Sequence, residues 1–252
     1  MVGDVHGHPD LFRALIDLAA AEQRFVVSLG DLVDRGTDNA ATVRQMLDLL
    51  RADRGLFIRG NHDDKLFRTL KGNPTSVDSD LAVTIEQLEA AADGKALRQG
   101  FFEAYRSAPY LVRLGDTVMV HGGFAPAMLG VRSLPAKLRA LALYGETGPG
   151  ETRKKPVRTY RWLDSVPAGA TVVIGHHPLS DESILVRTNA EGGRLIHLDC
   201  GAGKGRGLGA LRLGRAGEVD SACRASRRDG EVVIEKATLV AHSGIAESTE
   251  IG

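Results

Sequence analysis

The sequence is poor in cysteine, carries no excess of charge of either sign and contains no long apolar run, and each shortage closes off a class of protein. Two cysteines, Cys200 and Cys223, are too few for a disulfide framework, so a reduced, cytoplasmic setting is the expectation. Lys plus Arg equals Asp plus Glu at 32 each, which removes the global positive field that bulk nucleic-acid binding needs. Any polyanion must be held locally. No stretch has the character of a signal peptide or a membrane span, so no membrane partner is expected. A kinase-type phosphate loop, GxxxxGK followed by Ser or Thr, is missing, as is any internal repeat.

What remains is a chain of 252 residues, 43% hydrophobic and 25% charged, a size and composition suited to one large α/β domain. The apolar run 25–29 reads as a buried strand, preceded by a helix from Pro9 with Leu11, Phe12, Leu15, Ile16 and Ala19 on one face. A second helix over 42–50 and a strand at 56–58 continue the alternation. Residues 71–108 interrupt it with helices expected to lie over the site entrance, either as a lid or as a packing cap. A hairpin over 111–120 opens a second sheet, followed by a helix at 135–143 and a Gly- and Pro-rich loop over 145–156. Strands are expected at 171–174, 184–186, 195–198 and 211–213, an edge strand at 231–235, a charged turn at 224–230 and a flexible tail at 243–252. Only Met1 and Val2 precede Gly3, where a first strand should stand, so a late-set start or a stub strand is expected.

Four apolar runs and this stub each end in a polar cluster. The first cluster is Gly3-Asp4-Val5-His6-Gly7, and the central one is Gly30-Asp31-Leu32-Val33-Asp34-Arg35-Gly36. Arg59-Gly60-Asn61-His62-Asp63, His121-Gly122-Gly123 and Gly175-His176-His177 follow. Open α/β sheets bind ligands at the carboxyl ends of their strands. Carboxylates, an amide and imidazoles delivered there make a ligand set suited to borderline divalent metals such as Mn, Fe or Zn.

In order and spacing, these clusters resemble the phosphoprotein phosphatase branch of the calcineurin-like metallophosphoesterases, over residues 3–177 with a weaker tail to about 213. The resemblance implies a four-layer α/β sandwich, with two mixed β-sheets flanked by helices and a dimetal site at strand ends. Residues 1–213 would form the catalytic domain, with the helical cap inserted at about 71–108 and 214–242 adding the edge strand. It implies two divalent ions, manganese before iron or zinc, bridged by Asp31. Asp4 and His6 would complete one site, and Asn61, His121 and His176 the other. A hydroxide held between the ions would be the nucleophile, with His62 as general acid oriented by Asp34. Arg35 and Arg59 would clamp phosphoryl oxygens, with Arg158 or Arg161 as a third clamp, Arg158 preferred. Asp199 would support His176 or His121. His177 stands where relatives often carry Thr, His8 and His242 read as surface residues, and Cys200 as a buried filler.

The implied activity is hydrolysis of phosphate monoesters by a serine/threonine-protein-phosphatase-like enzyme acting on a phosphoprotein or a phosphorylated small molecule. A symmetrical bis(5'-nucleosyl)-tetraphosphatase is the alternative. So is a phosphatase for nucleic-acid ends, because Tyr144-Gly145-Glu146-Thr147 and Pro156-Val157-Arg158 are similar to the phosphatase module of polynucleotide kinase-phosphatases. A non-catalytic phospholigand binder would be expected to have lost ligands, and all six are present. A monomer is the default.

Overall fold

Pro9, which has no N–H to leave unpaired, opens α1 (Pro9–Ala21), and Leu11, Phe12, Leu15 and Ile16 form its buried face. In this computed structural model, which describes residues 1–73, 76–152, 155–180 and 183–242, the next apolar run is β1 (Val26–Ser28). Asp38 caps α2 (Asn39–Arg51) by accepting the Ala41 N–H at 2.8 Å, and β2 (Gly55–Phe57) returns parallel to β1. Three helices follow, α3 (Asn61–Leu70), α4 (Ser79–Ala90) and α5 (Gly94–Ser107). The second half comprises β3 (Leu111–Leu114), β4 (Thr117–Val120), α6 (Ala136–Tyr144), β5 (Glu146–Thr152), β6 (Lys155–Thr159), β7 (Thr171–Ile174), β8 (Ile184–Thr188) and β9 (Arg194–His197). β10 (Gly207–Leu213), β11 (Val219–Arg228), β12 (Glu231–Lys236) and β13 (Leu239–Ala241) complete the described chain.

The strands build two mixed sheets and a separate two-stranded hairpin, β5–β6. In the first, Val2 bridges Ser28 in parallel and Ala210 in antiparallel sense, joining β2-β1 to β10-β11-β12. The second has six strands in the order β13-β8-β9-β7-β4-β3. Leu29, Ile58, Met119, Val173, Ile196, Leu198 and Leu211 fill the space between the sheets. The helices α1 to α5 cover the outer face of the first sheet, while α6 and the turn around Trp162 cover that of the second. The result is the expected order of layers, helices, sheet, sheet, helix.

Three expectations change. Residues 145–156 were expected to loop, but β5 and β6 pair as an antiparallel hairpin, with Glu146 opposite Thr159 and Thr147 opposite Arg158. Residues 224–230 were expected to turn, but β11 runs through Arg224 to Arg228. Its inward side chains are small, with Ala222 and Ala225 buried, so no bulky apolar run announces the strand. β13 was not expected, and it adds in parallel to β8. The segment 71–108 is no detached lid, because Leu81, Leu88, Leu97, Phe101 and Tyr105 belong to the main apolar core. The stub strand is real in its bonding. Val2 N–H donates to Val27 at 2.7 Å, Leu29 N–H to Val2 at 2.9 Å and Gly3 N–H to Gly209 at 2.9 Å. The tail expected at 243–252 lies outside the described residues.

Candidate active site

Asp4 follows the Val2 bridge, Asp31 follows β1, Asn61 follows β2, His121 follows β4 and His176 follows β7, so one rim of the two sheets gathers all five. The backbone there is forced. Among the eight described non-glycine residues with positive φ, five are His6 (46°), Asp31 (49°), Asp34 (74°), Arg35 (68°) and His176 (69°). Side chains rarely adopt this conformation, and it persists where surrounding structure over-determines it. Gly60 has to be glycine for a related reason, since a Cβ there would lie 2.2 Å from both the backbone nitrogen and Oδ1 of Asp31.

The imidazoles are held in one tautomer by the main chain. His121 Nδ1 lies 3.0 Å from the Leu29 carbonyl and His6 Nδ1 lies 2.9 Å from that of Val33. Carbonyls only accept, so each Nδ1 carries the proton and each Nε2 presents a lone pair. Both lone pairs face Asp31 Oδ2, at 3.3 Å from His121 and 3.7 Å from His6. His121 Nε2 also lies 2.9 Å from Asn61 Oδ1 and 3.2 Å from His176 Nδ1. Asp4 turns one oxygen to the His176 N–H at 2.8 Å, and its other oxygen is buried without a hydrogen-bond partner among the described residues, as is His176 Nε2.

Lone pairs converging in a buried space fit cations, and that is the test these residues pass. His6, Asp31 and His62 form one group of donors within 4.8 Å of one another, and Asp31, His121 and His176 form another. Asp31 belongs to both. Burial pushes Asp31 up, but His121 and His62 outweigh it and hold the carboxyl well below its usual range. Burial, then the neighbouring Asp199 charge, pushes Asp4 well above its range, and burial brings His6 down to about 3. Burial would lower His121, but the charges of Asp31 and Asp4 outweigh it and push it up to about 9, so without ions protons gather among these donors, and divalent ions would take their place.

Residues 1–199 match the model of the calcineurin-like phosphoesterase family. The chain belongs to that family. It is similar to the asymmetrical bis(5'-nucleosyl)-tetraphosphatase PrpE of Bacillus velezensis, with 30% identity over 84% of this chain and 88% of the relative. The PrpE of Bacillus subtilis matches at 29% identity, over 84% of this chain and 89% of the relative. Among solved structures, a protein serine/threonine phosphatase from Saccharomyces cerevisiae shares the fold, with a TM-score of 0.51 and 13% identity over 96% of this chain and 79% of that one. The chain is therefore a phosphoric ester hydrolase of a family that works with divalent metal ions.

Other groups of this phosphoesterase surround the donors. His62 Nδ1 lies 2.6 Å from Asp34 Oδ2, and Arg35 Nη2 approaches His62 Nε2 at 3.2 Å. Thr84 of α4 donates to the other oxygen of Asp34 at 2.5 Å, a contact between segments fifty residues apart that no sequence pattern announces. Asp63 Oδ1 accepts the Leu32 N–H at 3.0 Å, fastening the central loop to α3. Arg158 lines a small cavity with His176 and His177 and donates to the Tyr144 carbonyl, whereas Arg161 is exposed and tied to Glu146. His177 Nδ1 lies 2.8 Å from the Tyr160 hydroxyl.

Three expected roles do not match the geometry. Arg59 was expected to clamp phosphate, but its Nε donates to the Ala108 carbonyl and its Nη2 to that of Arg106, each at 2.8 Å, and Tyr105 and Tyr110 present their ring faces to it. Asp199 was expected to support His176 or His121. Its Oδ1 instead accepts the Gly201 N–H at 2.8 Å, and no hydrogen bond joins it to either histidine among the described residues. His8 is buried, with Nδ1 3.2 Å from Arg227 Nη2, because β11 covers the start of α1. Cys200 is buried as expected, and no helix among the described residues is long and apolar enough to cross a membrane.

Proposed function

We propose that this phosphoesterase hydrolyses dinucleoside tetraphosphates asymmetrically, to a nucleoside triphosphate and a monophosphate. The observation that carries this reading is the match to enzymes of that name over 84% of the chain and 88% of the relative. The protein serine/threonine phosphatase activity expected from the motifs uses the same rim and is the competing outcome of the assay below.

We propose two ions, manganese first, sharing Asp31, because carboxylate, amide and imidazole together suit a borderline divalent metal. Asp4 and His6 would hold one, and Asn61, His121 and His176 the other. When bound, such ions polarise the phosphoryl group and lower the pKa of water from about 16 toward about 7. The chain's own residues do the rest. Asp34 holds Nδ1 of His62, so that Nε2 faces the reacting phosphorus and gives its proton to the leaving oxygen. Burial alone would lower the pKa of His62, but the Asp31 charge and the Asp34 hydrogen bond outweigh it and raise it, keeping the acid form available. Arg35 beside His62 and Arg158 beside His176 hold the non-bridging oxygens.

The test is product analysis by chromatography after incubating the manganese-loaded enzyme with diadenosine tetraphosphate, a phosphothreonine peptide and a 3'-phosphorylated oligonucleotide. ATP with AMP is the expected product pair. Two molecules of ADP would replace this reading with the symmetrical one. Cleavage of the peptide or the oligonucleotide with diadenosine tetraphosphate left intact would overturn it.

A further inference from the structure

Arg59, Arg106, Arg113, Arg132 and Arg139 line one concave cavity of about 650 Å³, and among the described residues no acidic one shares its wall. The chain as a whole is neutral, so this concentration of charge is local. The floor comes from Ala108, Pro109 and Tyr110 after α5 and from Leu111 at the start of β3, an edge strand of the second sheet. The far wall is the loop 128–134 and the first turn of α6.

The five guanidiniums are not equivalent. Arg59 is fixed to the Ala108 and Arg106 carbonyls. Arg113 reaches Asp116 at 3.3 Å, an exposed pair of small worth. Arg106, Arg132 and Arg139 have no carboxylate partner within ion-pair distance among the described residues, and all three are exposed. Like charges facing one another across a concavity repel, and the concave shape focuses their field. A ligand carrying several negative charges removes that repulsion and accepts the forked N–H pairs of more than one arginine.

We propose that this cavity is a binding site for a polyphosphate chain of three or more phosphates, free or as the tail of a nucleotide. The volume lies in the range of small-molecule sites, about 300–1,000 Å³. The charge is gathered in a basin and does not run as a stripe, and the neutral chain offers no field along which a nucleic-acid backbone would track. Ser133 adds a hydroxyl on the far wall. The site stands on its own lining and does not depend on which ester the metal centre cleaves.

The test is calorimetric titration of the full-length, metal-loaded protein with bis(methylene)triphosphate, whose P–C–P links resist hydrolysis. The double variant Arg132→Ser/Arg139→Ala is compared with the wild type. Two equivalents are expected to bind the wild type, one at the metals and one in the cavity. In the variant the cavity site should weaken by about tenfold for each guanidinium removed, with a shallower salt dependence. Hydrolysis of p-nitrophenyl phosphate and the thermal midpoint should stay at wild-type values, since both arginines are exposed and outside the metal rim. A single equivalent in the wild type, or two unaltered equivalents in the variant, would overturn the proposal. Repeating the titration with the corresponding methylene analogue of ATP separates the two sources. Equal affinity assigns the site to the phosphate chain alone, and tighter binding adds the nucleoside. Loss of cavity binding with intact hydrolysis leaves the reading of the metal centre untouched, and the reverse result leaves the cavity untouched.

Discussion

Thr84 donates its hydroxyl to Asp34 Oδ1 at 2.5 Å, and through Asp34 it reaches His62, whose Nδ1 sits 2.6 Å from Oδ2 of the same carboxylate. Asp34 is fully buried with φ of 74°, so both of its oxygens must be satisfied by the protein. α4 is thereby part of the positioning apparatus, and Arg35 extends the link by approaching Asp80 of the same helix at 3.8 Å.

Thr84→Val keeps the shape and removes the donor. One oxygen of Asp34 is then buried unpaired, a cost of about 1–3 kcal/mol that the carboxylate can reduce by rotating away from His62. We expect unchanged metal content and roughly tenfold lower kcat on alkyl phosphates. Loss on p-nitrophenyl phosphate, whose leaving group needs little protonation, should be much smaller, and Thr84→Ser should restore activity. Equal losses on both substrates would assign Thr84 to packing alone.

His62→Asn removes the proton donor itself. In the wild type the rate on a poor leaving group should fall as pH rises through the raised pKa of His62, because the acid form is lost. The variant should lose that alkaline limb while retaining its metals. A variant profile that keeps the limb would place the general acid elsewhere.

Much of this site was legible because its chemistry is concentrated in short clusters at strand ends. Asp4, His6, Asp31, Asn61, His121 and His176 were named from five such clusters, and the structure brings them to one rim. Thr84 was not legible, since a threonine on a helix reads as a surface or packing residue until the partner fifty positions away is known. Arg59 misled for the opposite reason. It sits in the right cluster, but its guanidinium follows two aromatic rings and two carbonyls at the end of α5. The fold was readable where apolar runs are bulky, and β11 escaped because its buried positions are small, Ala222, Ala225 and Ser226.

Asp31→Asn tests the shared ligand. Oδ1 accepts the His62 N–H at 2.9 Å and Oδ2 faces both His6 and His121, so an amide retains the shape but loses the charge common to both donor groups. Turnover should fall by about a thousandfold or more, and both metals should be lost together on dialysis, read by elemental analysis. Loss of one ion with the other retained would show that the two groups do not share Asp31.

Asp63 gives a pH dependence that needs no catalysis to measure. It is fully buried, Oδ1 accepts the Leu32 N–H at 3.0 Å and Oδ2 has no hydrogen-bond partner among the described residues. Burial, then the charge of Asp31, pushes its pKa up to about 7. The unfolded chain has the ordinary value of about 3.9, so between the two the native state holds a proton that the unfolded state releases. The stabilising contribution of that proton is complete below the unfolded pKa and is lost as pH rises through about 7. In chelated protein, the wild-type thermal midpoint should therefore decline between about pH 4 and about pH 7. Asp63→Asn keeps the oxygen that Leu32 needs and cannot ionise, so its decline should be shallower and its advantage at about pH 8 should reach about 1–3 kcal/mol. Parallel curves for the two proteins would assign the dependence to Asp4 and His121, which also share the rim, and would leave Asp63 with only its hydrogen bond to Leu32.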